Sequence, residues 1–156
     1  MLNKALDIAY KAHLGQTDKA GAPYILHPMR VALHCETDEE KIVALLHDVV
    51  EDTPITLEEL KTQGFSDDVL AALKGLTKIK GEDYQTFIQR VATNPLAVKV
   101  KIQDLKDNMD LSRLGGKSHW KMDLYKEALQ FLEQCLENPN ADKHLQANCV
   151  GVLKRT

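Results

Sequence analysis

The chain has 156 residues, of which 44% are hydrophobic and 28% are charged, a balance typical of one globular domain with a substantial core. Its net charge of −3 gives no electrostatic reason to expect a nucleic acid or an acidic membrane as partner. No apolar run approaches the roughly 20 residues of a membrane span, and the N-terminus carries no signal-peptide pattern. Three cysteines without a CxxC pair favour a reducing, cytoplasmic location over a disulfide framework or a zinc knuckle.

Apolar residues at helical spacing predict an all-α domain of about eight helices over residues 1–156. After a first helix and a polar loop, Pro28 suits the first position of a second helix, because its missing N–H would be unpaired there. His27 then lies at a helix start, where its side chain can point inward. Asp38 is expected to cap the third helix, with Lys41 rather than Glu at the capping-box position. This helix is expected to end at Thr53-Pro54.

The remaining helices are each predicted from a polar cap or a proline in the first turn. They begin at Thr56, Ser66, Asp83, Pro95 and Ser118. Glu59 completes a capping box with Thr56, and the last of these helices is predicted to run to Leu136. The tail from about residue 138 is expected to be loosely attached, or to add a short docked helix within residues 144–153.

The segment 44–54 stands out because four ionisable side chains interrupt an apolar run. On a helix, all four would fall within an arc of roughly 140°. The apolar residues between them cover much of the remaining surface, so the helix is expected to be buried. Buried charges are costly unless they are paired or bound to a metal. The alternative is a surface helix with an accidental His-Asp pair. The four side chains are His47, Asp48, Glu51 and Asp52.

A second polar pair lies on the predicted seventh helix, where Asp104 and Asn108 are one turn apart and can face the same cavity. Together with His27, His47 and Asp48, Asp104 could complete a site of two histidines and two carboxylates. Mixed nitrogen and oxygen ligation suits Mn²⁺, Fe²⁺ or Zn²⁺. A solvated helix charge is the alternative for Asp104, but its apolar neighbours favour an inward position.

These residues resemble the H…HD…D signature of the HD metal-dependent phosphohydrolases, through His27, the His47-Asp48 doublet and Asp104. The flanking motifs are similar to the hydrolase domain of the bifunctional alarmone synthetase/hydrolases, and to its small stand-alone relatives that cleave guanosine tetraphosphate. Because no synthetase domain follows, the chain looks like the hydrolase-only form. The matching segments span most of the chain: AHLGQ at 12–16, Lys19, GAPYILHP at 21–28, LHDVVEDT at 46–53, GLTK at 75–78, and VKIQD at 100–104 with Asn108.

The resemblance implies an HD-type fold and a metal ion, usually Mn²⁺, which would be held by His27, His47, Asp48 and Asp104. It also implies that Glu51 and Asp52 position or deprotonate the attacking water. This agrees with the chemistry of phosphoesters, whose negative charge repels a nucleophile. A divalent ion offsets that charge and lowers the pKa of a water, and a nearby carboxylate can take the proton.

Four further residues are candidates for substrate contacts. Lys19, Lys78 and Lys101 could bind phosphate, and Asn108 could hydrogen-bond ribose or phosphate. The alternative for each lysine is a solvated surface charge. His13 matches the family motif but is expected to be a packed core residue. Trp120 and Tyr125 are likewise expected in the core rather than as a platform for a base.

Two positions depart from the family pattern. Asp18 stands where relatives usually carry an arginine, and Asp110 follows Met109 where they often read Met-Arg. Aspartate in place of arginine exchanges a planar cation for an anion. Neither position is a predicted metal ligand, so the predicted metal site is unaffected. The resemblance to the family, however, no longer directly implies that guanine is recognised.

The expected function is Mn²⁺-dependent hydrolysis of the 3′-diphosphate of guanosine tetra- or pentaphosphate. Another purine nucleotide, such as an adenine alarmone or NADPH, is the alternative substrate. A nucleotide-sensing module without turnover is the alternative from another class. The oligomeric state stays open, although exposed apolar residues on the last helix could support a dimer.

Overall fold

The computed structural model describes residues 1–113, 116 and 120–138. These residues form nine helices, and their only β-type pairing is an isolated bridge between Thr17 and Pro23. The all-α prediction is confirmed. Nine helices replace the predicted eight because the third is divided at His47-Asp48. None of the helices in this part of the chain has the length and apolar character needed to cross a membrane.

The helix boundaries follow local capping signals. Thr56 and Glu59 form the predicted capping box, and the side chains of Ser66, Asp83 and Asn94 each accept a backbone N–H of the helix they precede. The helices are α1 (Leu2–Ala12), α2 (Leu26–Leu33), α3 (Asp38–Leu46), α4 (Val49–Asp52), α5 (Leu57–Thr62), α6 (Asp67–Leu76), α7 (Tyr84–Ala92), α8 (Pro95–Asn108) and α9 (Met122–Glu137).

The cap of α3 differs from the prediction by one residue. Thr37 is the N-cap: its hydroxyl accepts the Glu40 N–H at 3.2 Å, and the Glu40 carboxylate accepts the Thr37 N–H at 3.4 Å. The prediction that Asp38 caps this helix was wrong: Glu40, three residues after Thr37, makes the return bond, whereas Lys41, three residues after Asp38, has no acceptor for it. Glu40 is also buried and bonds Lys99 at 3.1 Å, which ties the start of α3 to α8.

Two other helix starts differ from the sequence-based expectation. Pro28 is the third residue of α2 rather than the first. The position is tolerated because the first four N–H groups of a helix have no intrahelical partner. Helix α9 begins after Lys121, whereas the predicted cap Ser118 lies outside the described residues. The helix expected within 144–153 also lies outside them.

The division between α3 and α4 coincides with a side-chain hydrogen bond of His47. Its Nδ1–H donates to the Ala44 carbonyl at 2.6 Å, the acceptor that a continuous helix would offer to the Asp48 N–H. Both residues keep helical backbone angles, with φ −60° and ψ −35° at His47 and φ −91° and ψ −11° at Asp48. The chain therefore continues in nearly the same direction, and Glu51 and Asp52 follow one turn beyond the doublet.

Helices α3 and α8 form the centre of the fold, and α2 packs against both. In α3, all residues of 42–46 are buried. Helix α8 buries Ala97, Val98, Val100, Ile102 and Leu105. Mutual packing of these three helices brings their polar positions to one place.

Candidate metal centre

Three of the predicted ligands converge closely at the meeting point of α2, α3 and α8. Potential ligand atoms of His27, His47 and Asp104 all lie within 4.8 Å of one another, and all three residues are buried. Asp104 Oδ1 lies 3.0 Å from His27 Nε2 and 3.5 Å from His47 Nε2. Such spacing allows the three atoms to share one ion.

Asp48, the fourth predicted ligand, reaches the same place. Its Oδ2 lies 3.2 Å from His47 Nε2 and 3.7 Å from His27 Nε2. The Tyr24 hydroxyl donates to the same oxygen at 2.5 Å and fixes the orientation of the carboxylate. The structure therefore brings all four predicted side chains together, although they come from three separate segments.

The Nδ1 atoms of His27 and His47 each make a hydrogen bond that orients the ring, so that Nε2 of both residues faces the carboxylates. His47 Nδ1 donates to the Ala44 carbonyl, and His27 Nδ1 donates to Asp107 Oδ2 at 2.6 Å. His47 Nε2 is buried and has no hydrogen-bond partner among the described residues. Neutral histidine with Nδ1 protonated presents a lone pair at Nε2, the form in which it binds metals. The donor set therefore fits a divalent cation with nitrogen and oxygen ligands.

Asp107 supports this arrangement and was missed in the sequence. Besides His27 Nδ1, its carboxylate accepts bonds from Arg30 at 2.8 and 3.1 Å and from Arg113 at 3.0 Å. Burial opposes its ionisation, but these partners outweigh it and lower the pKa of Asp107 to about 2. Its position three residues after Asp104, on the same face of a helix, was the available signal.

Two neighbours on α8 bind the Asp104 carboxylate. Asn108 Nδ2 donates to Oδ1 at 3.0 Å, and Lys101 Nζ donates to Oδ2 at 2.7 Å. The Lys101 side chain is only 14% exposed. Burial disfavours its charge, but Asp104 more than compensates and raises the pKa of Lys101. Lys101, predicted as a phosphate contact, therefore also balances the charge of Asp104.

A cavity of about 370 Å³ opens beside the four residues, and its wall includes His47, Asp48, Glu51, Lys78, Lys101 and Asn108. The predicted core position of Trp120 was wrong: it is 79% exposed and lies at this cavity. Tyr125 is partly buried and also lines it. His13 is 2% exposed and bonds Gln16 at 2.9 Å, as expected for a packed core residue.

Glu51 and Asp52, the predicted acid–base residues, lie on α4. Both residues are exposed, in contrast to the buried helix that the sequence predicted. Partial loss of hydration, followed by the nearby charge of Asp48, still raises the pKa of both carboxyl groups. Glu51 lines the cavity, so it is the better placed of the two to accept a proton there.

Lys19 lies apart from the other two predicted lysines, in a second cavity that it lines with Asp18 and Tyr24. Asp18 Oδ1 accepts the backbone N–H groups of Ala20 and Ala22, both at 2.9 Å, and so shapes its own loop. Asp110, the other departure from the family pattern, is exposed and caps a turn rather than lining either cavity.

The surroundings of His27 and His47 lead us to predict how the affinity for a metal ion depends on pH. Burial lowers the pKa of His27 and His47, but the surrounding aspartates outweigh it, so both values are raised. A metal requires the unprotonated Nε2, whereas falling pH favours the protonated ring. We expect affinity for Mn²⁺ to rise with pH by up to about two decades per pH unit while both rings are protonated, one for each proton released. Chelator-competition titrations between pH 5.5 and 8.5 measure this slope, and a flat profile would exclude these histidines as ligands.

The chain is similar in sequence to parts of two longer bacterial proteins. The guanosine-3′,5′-bis(diphosphate) 3′-pyrophosphohydrolase of Aquifex aeolicus is 37% identical over 120 residues, which cover 69% of this chain and 17% of that protein. The bifunctional (p)ppGpp synthase/hydrolase SpoT of Escherichia coli K12 is 32% identical over 123 residues, covering 69% of this chain and 17% of that protein. The chain thus matches only about a sixth of the length of these relatives.

A solved structure and a family model extend the comparison. The structure, described as a metazoan ortholog of SpoT that hydrolyses ppGpp, has a TM-score of 0.69 and 24% identity, covering 99% of this chain and 95% of that chain. It shows that the fold is shared. The model of the HD domain matches residues 5–104. Because that region reaches from α1 to Asp104 and contains all four converging side chains, the chain belongs to the HD-domain family.

Proposed function

We propose that this protein is a divalent-metal-dependent phosphohydrolase that removes the 3′-diphosphate of guanosine tetra- or pentaphosphate and releases pyrophosphate. The observation that carries the proposal is the convergence of His27, His47, Asp48 and Asp104 beside a cavity whose lining also includes the Glu51 carboxylate and three lysines. The relatives named for this reaction support the choice of substrate.

The four converging residues would hold the metal ion, and the mixture of imidazole and carboxylate donors favours Mn²⁺, with Fe²⁺ or Zn²⁺ as alternatives. When bound, the ion would offset negative charge on the substrate and lower the pKa of a water. Asp107 and the Ala44 carbonyl keep the two imidazole rings in the required tautomer. Asn108 and Lys101 hold the Asp104 carboxylate in position.

Glu51 accepts the proton of the attacking water in this proposal, and Asp52 assists from the next position on α4. The water oxygen bonds to phosphorus while the bond between phosphorus and the ribose 3′ oxygen breaks, and the proton taken by Glu51 is returned to that oxygen. Lys78 and Lys101 line the same cavity and offset the charge of the diphosphate. A raised pKa of Glu51 suits general base work, since a stronger base takes a proton more readily.

Base selectivity is expected to be weak. A cation stacked on a purine contributes about 0.5–2 kcal/mol, and the Asp18 carboxylate cannot provide it. We expect guanosine tetraphosphate to be preferred over its adenine analogue by at most about tenfold in kcat/KM, or 1.4 kcal/mol. Side-by-side kinetics with Mn²⁺ measure the ratio. A thousandfold guanine preference would show that other residues read the base.

A panel of nucleotides, analysed by chromatography for the phosphates released, tests the function itself. The panel includes guanosine tetraphosphate, its adenine analogue and NADPH. A sample treated with a chelator is the control. Release of pyrophosphate only in the presence of metal supports the proposal. Binding without release of any phosphate would favour the alternative of a nucleotide-sensing module without turnover. The carboxylates directed into the site argue against that alternative. The cytoplasmic location and a dimer remain predictions from the sequence.

A further inference from the structure

The loop between α6 and α7, residues 77–83, carries Lys78 to the cavity beside the metal centre. Lys78 is exposed, and an exposed lysine on a loop has considerable conformational freedom in both its backbone and its side chain. A phosphate that binds to such a residue has to offset the free energy of ordering it. Contacts that order the loop before the substrate arrives therefore decide how well Lys78 can serve the site.

Arg90 on α7 holds both ends of this loop. Its Nη1 donates to two carbonyls in the last turn of α6, those of Lys74 at 3.0 Å and Gly75 at 3.1 Å. Its Nη2 donates to the Thr77 carbonyl at 2.8 Å, at the start of the loop. Near the end of the loop, the Glu82 carboxylate accepts from Nη2 at 2.9 Å and from Nε at 3.0 Å. These bonds use all five N–H donors of the guanidinium.

Glu82 closes the loop onto itself. Its Oε2 also accepts the Ile79 N–H at 2.9 Å, and its own N–H donates to the Ile79 carbonyl at 3.0 Å. Within this turn Gly81 has a φ of 84°, the value typical of the third residue of a type II turn. The bonds to Arg90 lower the pKa of Glu82, so the carboxylate stays ionised. The Arg90–Glu82 pair therefore fixes the backbone on both sides of Lys78.

Arg90 itself is not part of the described lining of the cavity. Its guanidinium carbon lies 5.5 Å from the centroid of the Phe87 ring, and Phe87 does line the cavity. Because all five of its donors are used, Arg90 has none left for a phosphate. Any effect of Arg90 on the reaction must therefore pass through the residues that it holds. Within the loop 77–83, Lys78 is the residue in the described lining.

We propose that Arg90 is a positioning residue for the phosphohydrolase reaction: with Glu82 it fixes the loop 77–83 so that Lys78 meets the 3′-diphosphate at the metal centre. The proposal rests on the proposed function, since it gives Lys78 a phosphate to bind. A loop held in this way loses less conformational freedom when the phosphate binds. Without the Arg90–Glu82 pair, the conformation that presents Lys78 to the cavity is populated less, and the apparent affinity of the site for the substrate falls in proportion.

Hydrogen exchange of the Mn²⁺-loaded protein, followed by mass spectrometry, tests whether Arg90 holds the loop. Arg90→Met should raise exchange in peptides that cover residues 77–83 and leave peptides from α2 and α3 unchanged. Val91→Ala is the matched control, because Val91 is the next residue of α7 and is fully buried, so its truncation weakens the core without removing a bond to the loop. Equal exchange of the loop in both variants would show that Arg90 only stabilises the fold, and would overturn the proposal.

A double-mutant cycle tests whether Arg90 acts through Lys78. Lys78→Met should lower kcat/KM for guanosine tetraphosphate by about 10- to 100-fold, the range of a hydrogen bond to a charged group. Arg90→Met alone should lower it by at least about fivefold, but by less than about twofold when Lys78 is already methionine. Losses of equal size in both backgrounds would mean that Arg90 acts independently of Lys78, and would overturn the proposal.

Two further variants separate charge from geometry. Lys74→Met removes an exposed cation nearby but keeps the carbonyl that Arg90 binds, so kcat/KM should be unchanged; a loss like that of Arg90→Met would attribute the effect to charge and overturn the proposal. Arg90→Lys keeps the charge, but its single nitrogen cannot span the carbonyls and Glu82. It should restore loop protection only in part, which keeps the test informative if the methionine variant is unstable.

The same cycle distinguishes failure of this proposal from failure of the proposed function. If guanosine tetraphosphate is not hydrolysed by the unmodified protein, the proposed function fails. The dissociation constant of that nucleotide then replaces kcat/KM in the cycle, with the same coupling expected between Arg90 and Lys78. Equal losses of affinity in both backgrounds, or a dissociation constant that Lys78→Met leaves unchanged, would again overturn the proposal.

Discussion

Replacement of Asp104 by alanine is expected to remove both metal binding and activity. Asp104 Oδ1 lies within 3.5 Å of both histidine Nε2 atoms, so its loss opens the centre of the ligand set. Loss of an outer-shell partner already lowers metal affinity by about 10- to 100-fold, and loss of a ligand should cost at least about 100-fold. Metal analysis after dialysis measures occupancy, and one tightly held ion at full occupancy would remove Asp104 from the proposed ligands.

This experiment needs a control for the stability of the fold, because Asp104 also neutralises the charge of the buried Lys101. Removal of one partner of a buried ion pair typically costs about 3–5 kcal/mol in the free energy of unfolding. The double variant Asp104→Asn with Lys101→Met removes both charges and should recover much of that loss. We expect it to fold, as judged by thermal unfolding, and still to bind no metal. Recovery of metal binding in the double variant would point to destabilisation as the cause.

Replacement of the two acid–base residues is expected to separate catalysis from metal binding. Glu51→Gln and Asp52→Asn keep the side-chain shape, and neither residue belongs to the four-residue cluster. Both should retain the metal and lower kcat by about 100-fold or more, the range typical of general acid–base residues. The larger effect is expected for Glu51, which lines the cavity.

Glu58→Gln provides the matched control for the loss of one negative charge, since Glu58 is exposed on α5 and lies outside the described lining of the cavity. Its kcat should equal that of the unmodified protein. Metal content is measured for all three variants, so that a fall in kcat is compared at equal occupancy. Near-normal kcat in both Glu51→Gln and Asp52→Asn would mean that proton transfer needs neither carboxylate.

Local sequence patterns were sufficient to predict the helical class and the four members of the cluster. Helical spacing and capping residues are local signals, which is why the starts of α5, α6 and α8 agree with the prediction. The His47-Asp48 doublet could be recognised because two polar residues in a buried helix require a partner. Where local signals competed, as at Thr37 and Asp38, the choice depended on a return bond that only Glu40 could make.

The contacts between distant segments depend on how the helices pack together. Asp107 reads in sequence as one of many helix charges, but the packing of α2 on α8 brings it to His27 across 80 residues of chain. The same packing places Arg30 on this carboxylate, which Arg113 also reaches from the segment after α8. Lys101, predicted as a phosphate contact with a solvated surface charge as the alternative, is the buried partner of Asp104. Side-chain partners of this kind follow from the approach of whole helices, which depends on the complete core and is not encoded in any single motif.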